Sequence, residues 1–126
     1  MTPQDMVREF YQRFGVPMHS VPITPHQLDP RVYQLRRDLI EEEHREFQEA
    51  MDAYDLVEVA DALADMIYVI YGTALTFGIN LDAVIAEVHR SNMTKEGDGS
   101  IPTIHKITKG DSYDPPDIEK VLRRLG

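Results

Sequence analysis

Carboxylates are the reactive side chains that this sequence repeats at meaningful spacing. Glu43 and Glu46 form E-x-x-E, Glu58 and Asp61 form E-x-x-D, and Asp61 and Asp65 stand four apart. On a helix each pair places two acids on one face, about a turn apart. Opposed across a helical hairpin, such pairs make an oxygen-only cluster, which suits hard divalent cations, Mg²⁺ first and Mn²⁺ next. The chain has no cysteine, so thiolate metal sites and disulfides are excluded. Glu43, Glu46, Asp61 and Asp65 fall on arcs expected to be buried, whereas Glu41, Glu49, Asp52 and Asp55 read as solvated. Glu42 and Glu58 lie at the border. Glu41-x-x-His44 matches half of a di-iron bundle signature, but the second half is missing: three residues before His89 stands Ala86. His19 and His26, without paired ligand spacing, read as loop residues.

Two long helices must position these acids. From Asp55 to Phe77 there is no proline and no break before Gly72, which predicts a helix. At 100° per residue, Glu58, Asp61 and Asp65 occupy an arc of about 60°, and most of the remaining circumference is apolar. Such a helix is expected in the middle of a bundle, its acidic stripe facing another part of the protein. Its uncharged run, Met66 to Ile79, spans 14 residues, shorter than a membrane crossing requires. Asp29-Pro30 reads as a cap and first-turn proline opening a helix to about Met51. Its apolar face is Val32, Leu35, Leu39 and Ala50, with Ile40 and Phe47 at the edge. Glu43 and Glu46 project inside that face. A short turn near Asp52 to Asp55 then makes an antiparallel hairpin with the carboxylates opposed.

The remaining elements are shorter. Thr2-Pro3-Gln4-Asp5 predicts a capped helix closed by Gly15 and Pro17. Four of the 8 prolines fall between Val16 and Pro30 and mark a loop. Asn80 is placed to cap a helix through Leu81, Val84, Ile85 and Val88. Residues 96–113 read as a loop with a brief extended segment, and Pro115-Pro116 opens a last short helix. The aromatics Phe10, Tyr11, Tyr33 and Tyr113 read as core, with base stacking the alternative.

At 126 residues a single domain over 1–126 is expected. The net charge of −9 argues against nonspecific binding to nucleic acid or anionic membranes. Acidity is concentrated between Asp38 and Asp65, with 11 of the 22 acids against one base, Arg45. The first residues, MTPQDMVREF, lack the apolar core of a signal peptide, so the cytoplasm is the expected compartment, a host's if the chain is phage-encoded.

Taken in order, EExxE (Glu42, Glu43, Glu46), DALADMIYVIYGTALTFGI (61–79), EVHRSNMTK (87–95) and K-x-x-KG with a following PPDI (106–118) resemble the all-α nucleoside triphosphate pyrophosphohydrolases. The branch resembled is that of MazG-like and dimeric-dUTPase-related proteins, which are also similar to phosphoribosyl-ATP pyrophosphohydrolase. The resemblance covers roughly residues 31–125. It implies an all-α bundle of four to five helices built around an antiparallel hairpin. It also implies hydrolysis of a (deoxy)nucleoside triphosphate between the α and β phosphates, releasing a monophosphate and pyrophosphate.

In the resembled family the paired carboxylates hold Mg²⁺, which carries over to Glu43 and Glu46. For the second pair two registers are open. One aligns ADMIYV (64–69), making Asp65 the family aspartate with Asp61 beside it and Glu58 as an outer ligand. The other takes Glu58 with Asp61. Asn92 and Lys95 match positions that contact nucleotide sugar or phosphate. Two or more cations per site would reverse the sign of an acidic cleft toward a polyanionic substrate. Arg90, Lys95, Lys106 and Lys109 are the cationic side chains available to close over phosphates, and Glu42 or Glu43 is the candidate base. The alternatives are a phosphoribosyl-ATP pyrophosphohydrolase-like enzyme and a non-catalytic acidic bundle that binds a basic partner. An apolar central helix in so small a monomer further predicts a homodimer or homotetramer.

Overall fold

The computed structural model describes residues 1–97 and 107–124. It contains five α-helices: α1 (Pro3–Phe14), α2 (Pro30–Asp52), α3 (Leu56–Phe77), α4 (Leu81–Asn92) and α5 (Ile118–Arg123). A 3₁₀ turn (Pro25–Gln27) and a two-residue antiparallel ladder complete it, with β1 (Glu96–Gly97) against β2 (Ile107–Thr108). The fold is all-α, and the chain divides into two compact units, residues 1–81 and 82–126.

Local chemistry sets the helix ends of the first unit. Thr2 and Asp5 form a reciprocal capping box that opens α1, and Gly15 closes it in the left-handed region at φ 68°. The carboxylate of Asp29 accepts from Arg31 N before the first turn of α2, and that of Asp55 accepts from Glu58 N at the start of α3. Gly78, at φ 74°, ends α3. A side chain there would collide with the Val21 carbonyl, so the 16–24 loop can lie close against the helix end. That loop donates His19 N–H to Leu75 O and Ile23 N–H to Phe77 O, pairing carbonyls that the helix leaves open.

Helices α2 and α3 form the expected antiparallel hairpin. Arg36 meets Val69 and Thr73 at one end, and Ala50 shares a groove with Ala62 at the other. The seam that α2 turns toward α3 differs from the predicted face. It runs through Val32, Arg36, Leu39, Glu43, Phe47 and Ala50, whereas Leu35 and Ile40 are exposed. Arg36 is buried, donating to the Tyr11 hydroxyl at 2.7 Å, to Thr73 Oγ1 at 3.1 Å and to the Val69 carbonyl at 3.1 Å. Its arrival depends on Gly72, where any Cβ would overlap the Tyr11 hydroxyl. Helix α1 covers the C-terminal half of α3 through Val7, Tyr11, Tyr71 and Leu75.

The N-terminal half of α3 departs from expectation. Leu56, Val57, Leu63 and Ile67 are exposed, so this helix is central only from about Tyr71 onward. Among the described residues α3 alone is long and apolar enough to cross a membrane. Its apolar content instead divides between the contact with α1 and α2 and an uncovered outer face.

In the second unit, Asp117 caps α5, accepting from Lys120 N, so the helix starts after Pro115-Pro116 rather than on them. Of the predicted extended segment, Ile107 lies in β2 and the part from Ile101 to Lys106 lies outside the described residues.

Candidate metal centre in the α2/α3 hairpin

The hairpin register brings Glu43 and Glu46 of α2 against Asp65 of α3. One carboxylate oxygen from each lies within 4.8 Å of the other two. Glu43 and Asp65 are half-buried and Glu46 is exposed, so the cluster opens to solvent on one side. No lysine or arginine makes an ion pair with any of the three among the described residues. The Oε2 atom of Glu43 is buried with no hydrogen-bond partner. Burial, then hydrogen bonding to Glu46 and the charges of Glu46, Asp65 and Glu42, pushes the Glu43 carboxyl up to about 7. A buried oxygen without a partner costs free energy that one bound cation removes. Three convergent carboxylates with an unsatisfied oxygen fit a hard divalent cation.

The other predicted acids fall elsewhere. Glu58 and Asp61 lie outside the triad, on the wall of an adjoining groove of about 380 Å³ that they share with Glu46 and Glu49. Ala50, Ala53 and Ala62 also line this groove, and their small side chains keep it open. Its volume suits a small ligand. Glu46 belongs to both the triad and the groove, so a cation held by the triad lies at the edge of that space. Glu42 is exposed on the same turn of α2 as Glu43.

The predicted substrate-binding residues belong to the second unit. Arg90 is committed internally: its Nε and Nη2 grip the Glu87 carboxylate at 2.9 and 3.0 Å, and Nη1 reaches Asp114 at 3.0 Å. Glu87 also accepts from Asp117 N at 2.8 Å, and with Arg90 this holds its carboxyl down at about 2. The Lys109 ammonium lies 5.1 Å from the centre of the Tyr113 ring, a cation–π contact. Asn92 is exposed at the end of α4, where its carbonyl accepts from Lys95 N at 3.1 Å. Lys106 lies outside the described residues.

Two features carry no signal in residue type or spacing. Arg36 occupies the hairpin seam although its residue type reads as surface, and a Tyr11 partner 25 positions away cannot be inferred from spacing. The three groove alanines carry no chemistry of their own and have meaning only beside the acids.

The phosphoribosyl-ATP pyrophosphohydrolase family matches residues 7–92, a span that contains α2, α3 and every acid of the triad and groove. An uncharacterized protein of Acanthamoeba polyphaga mimivirus is 40% identical over 84 residues, covering 64% of this chain. The chain spans about a third of that relative's length, 33%.

Proposed function

The chain belongs to the phosphoribosyl-ATP pyrophosphohydrolase family, and from that premise we propose that it hydrolyses a (deoxy)nucleoside triphosphate between the α and β phosphates, giving a nucleoside monophosphate and pyrophosphate. The supporting observation is the Glu43, Glu46 and Asp65 triad with its unsatisfied buried oxygen. These three side chains hold Mg²⁺, or Mn²⁺ in its place, and Glu58 and Asp61 extend the acidic wall toward a further cation. A bound divalent cation supplies positive charge for phosphate oxygens and makes water a better nucleophile near neutral pH.

What remains falls to the chain's own groups. A carboxylate engaged as a ligand is poorly placed to take a proton, so Glu42, exposed beside Glu43, orients and deprotonates the attacking water. The groove beside Glu46 receives the organic part of the substrate. Asn92 and Lys95 contact sugar or phosphate, as the family resemblance implies. The setting is the cytoplasm.

The test is release of pyrophosphate from a panel of canonical and modified nucleoside triphosphates, with phosphoribosyl-ATP included, in Mg²⁺ and in chelator. Turnover of one or more triphosphates in Mg²⁺ alone, with a monophosphate as co-product, is expected. The family description favours a second reading, in which phosphoribosyl-ATP is the substrate. Activity on that compound with none on triphosphates would select it. No turnover on any compound, together with a melting temperature indifferent to Mg²⁺, would leave the non-catalytic acidic bundle.

A further inference from the structure

The seam between α2 and α3 holds one residue that hydrophobic packing does not call for. Arg36 is buried, yet none of the ion pairs among the described residues includes it. Its guanidinium is held by neutral acceptors only: the Tyr11 hydroxyl at 2.7 Å, Thr73 Oγ1 at 3.1 Å and the Val69 carbonyl at 3.1 Å. Burying a cation without a carboxylate costs desolvation that such bonds only partly offset, and an apolar side chain of similar volume in the same place is often neutral or stabilising. Two of the acceptors do not depend on it. Thr73 Oγ1 also donates to the Val69 carbonyl at 2.8 Å, so both atoms keep a partner without Arg36.

The guanidinium has a single place to go. Gly72 is the only glycine of α3, and a Cβ there would stand 2.9 Å from Arg36 Nη2 and overlap the Tyr11 hydroxyl. Sliding α3 along α2 by four residues, about 6 Å, would bring Tyr68 or Thr76 to that notch, and either side chain would expel the guanidinium. The triad lies along the same seam. Arg36 stands seven residues before Glu43 on α2, while Val69 and Thr73 stand four and eight residues after Asp65 on α3. In an antiparallel pair these separations run the same way, ~10 Å on one helix and ~6–12 Å on the other. Fixing one end therefore fixes the other. A four-residue slide toward the triad would set Asp61, not Asp65, opposite Glu43 and Glu46.

We propose that Arg36 is a positioning residue for the metal centre: seated in the Gly72 notch, it sets the register of α3 on α2 that presents Asp65 to Glu43 and Glu46. This rests on the metal reading of that triad. What Arg36 contributes is one arrangement rather than stability, as a buried polar side chain does when it fixes the register of paired helices.

The double variant Tyr11→Phe/Arg36→Met removes the guanidinium together with the hydroxyl that would otherwise lose its partner. In chelator it is expected to keep wild-type helicity and to melt at or above the wild-type temperature. Its affinity for Mn²⁺, measured by titration calorimetry, is expected to fall about 10–100-fold. The acids also uncouple: Asp65→Asn costs the wild type roughly 10-fold or more in Mn²⁺ affinity and the double-variant background no more than about threefold. Arg36→Lys keeps the charge but offers its donors from one nitrogen, so it loses affinity as well. Wild-type Mn²⁺ affinity in Arg36→Lys overturns the proposal by itself, even where the double variant does not fold. An equal cost of Asp65→Asn in the two backgrounds would also overturn it. Mn²⁺ bound equally by wild type and both variants would remove this proposal alone. Mn²⁺ that wild type does not bind would remove the metal centre and this proposal with it.

Discussion

Glu43 on α2 and Glu87 on α4 are both part-covered glutamates in a strongly acidic chain, and the fold treats them in opposite ways. Glu87 has both oxygens in use, gripped by Arg90 and by the Asp117 amide, and its carboxyl is held down at about 2. Those bonds join α4 to the start of α5, while Arg90 also ties down Asp114. Glu43 has acids for neighbours, a buried oxygen without a partner, and a carboxyl pushed up to about 7. The chain therefore completes a carboxylate where it needs a structural joint and leaves one incomplete in the hairpin. An unsatisfied, self-repelling cluster persists in a stable fold when a ligand completes it.

Removing members of the two sites separates them most sharply. Under the proposed function, Glu46→Ala and Asp65→Ala should lower pyrophosphate release by roughly 10²–10³-fold or more, because each would delete a ligand of the cation that stabilises the reacting phosphates. Glu87→Gln should change turnover by no more than a few-fold. Steady-state rates at saturating Mg²⁺ check both. Wild-type turnover in either triad variant would remove the metal centre from the mechanism, and a loss with Glu87→Gln as large as theirs would erase the distinction.

Metal dependence of stability gives the next largest effect. A ligand present at about 100 times its dissociation constant stabilises the folded state by about 2.7 kcal/mol, several degrees in melting temperature for a domain of this size. Mg²⁺ should raise the wild-type melting temperature by that order, reversibly with chelator, and should leave Glu46→Ala unmoved. A shift of the same size in Glu46→Ala would place the ion somewhere else.

Much of this arrangement is legible in the amino-acid sequence. The caps at Thr2, Asp29 and Asp55 and the stop at Gly78 are local chemistry, and they bound the first three helices to within a residue or two. The hairpin follows from two long periodic segments joined by a short turn, and it is enough to oppose Glu43 and Glu46 with the acids of α3. Which acid of α3 completes the cluster is not local. Glu58, Asp61 and Asp65 all share one stripe, and the longitudinal register of α3 on α2 selects Asp65 for the triad while sending the other two to the groove. A helical wheel contains no such register. The same limit explains Arg36: a rotation of α2 by a fraction of a turn puts its long stem in the seam and Leu35 outside. Nor does periodicity distinguish a face buried by the chain itself from one left uncovered, as the N-terminal half of α3 shows.

The smallest effect is the pH dependence of the two glutamates without metal, where the signs oppose. Glu43 has a folded pKa of about 7 against an ordinary value of 4.5, so the folded state binds the extra proton between those limits. Its contribution therefore turns unfavourable as pH rises from 4.5 to 7, and Glu43→Gln should be relatively more stable than wild type above pH 7 in chelator. Glu87 has a folded pKa of about 2 against the same ordinary 4.5, so the folded state favours its charge. Its contribution is present above 4.5 and lost as pH falls toward 2, and Glu87→Gln should be the less stable protein at neutral pH while converging on wild type in acid. Melting curves of the three proteins across pH 3 to 8 in chelator measure both at once. Parallel curves for the two variants would mean that the fold treats the two carboxylates alike, and the contrast between a completed joint and an incomplete site would fail.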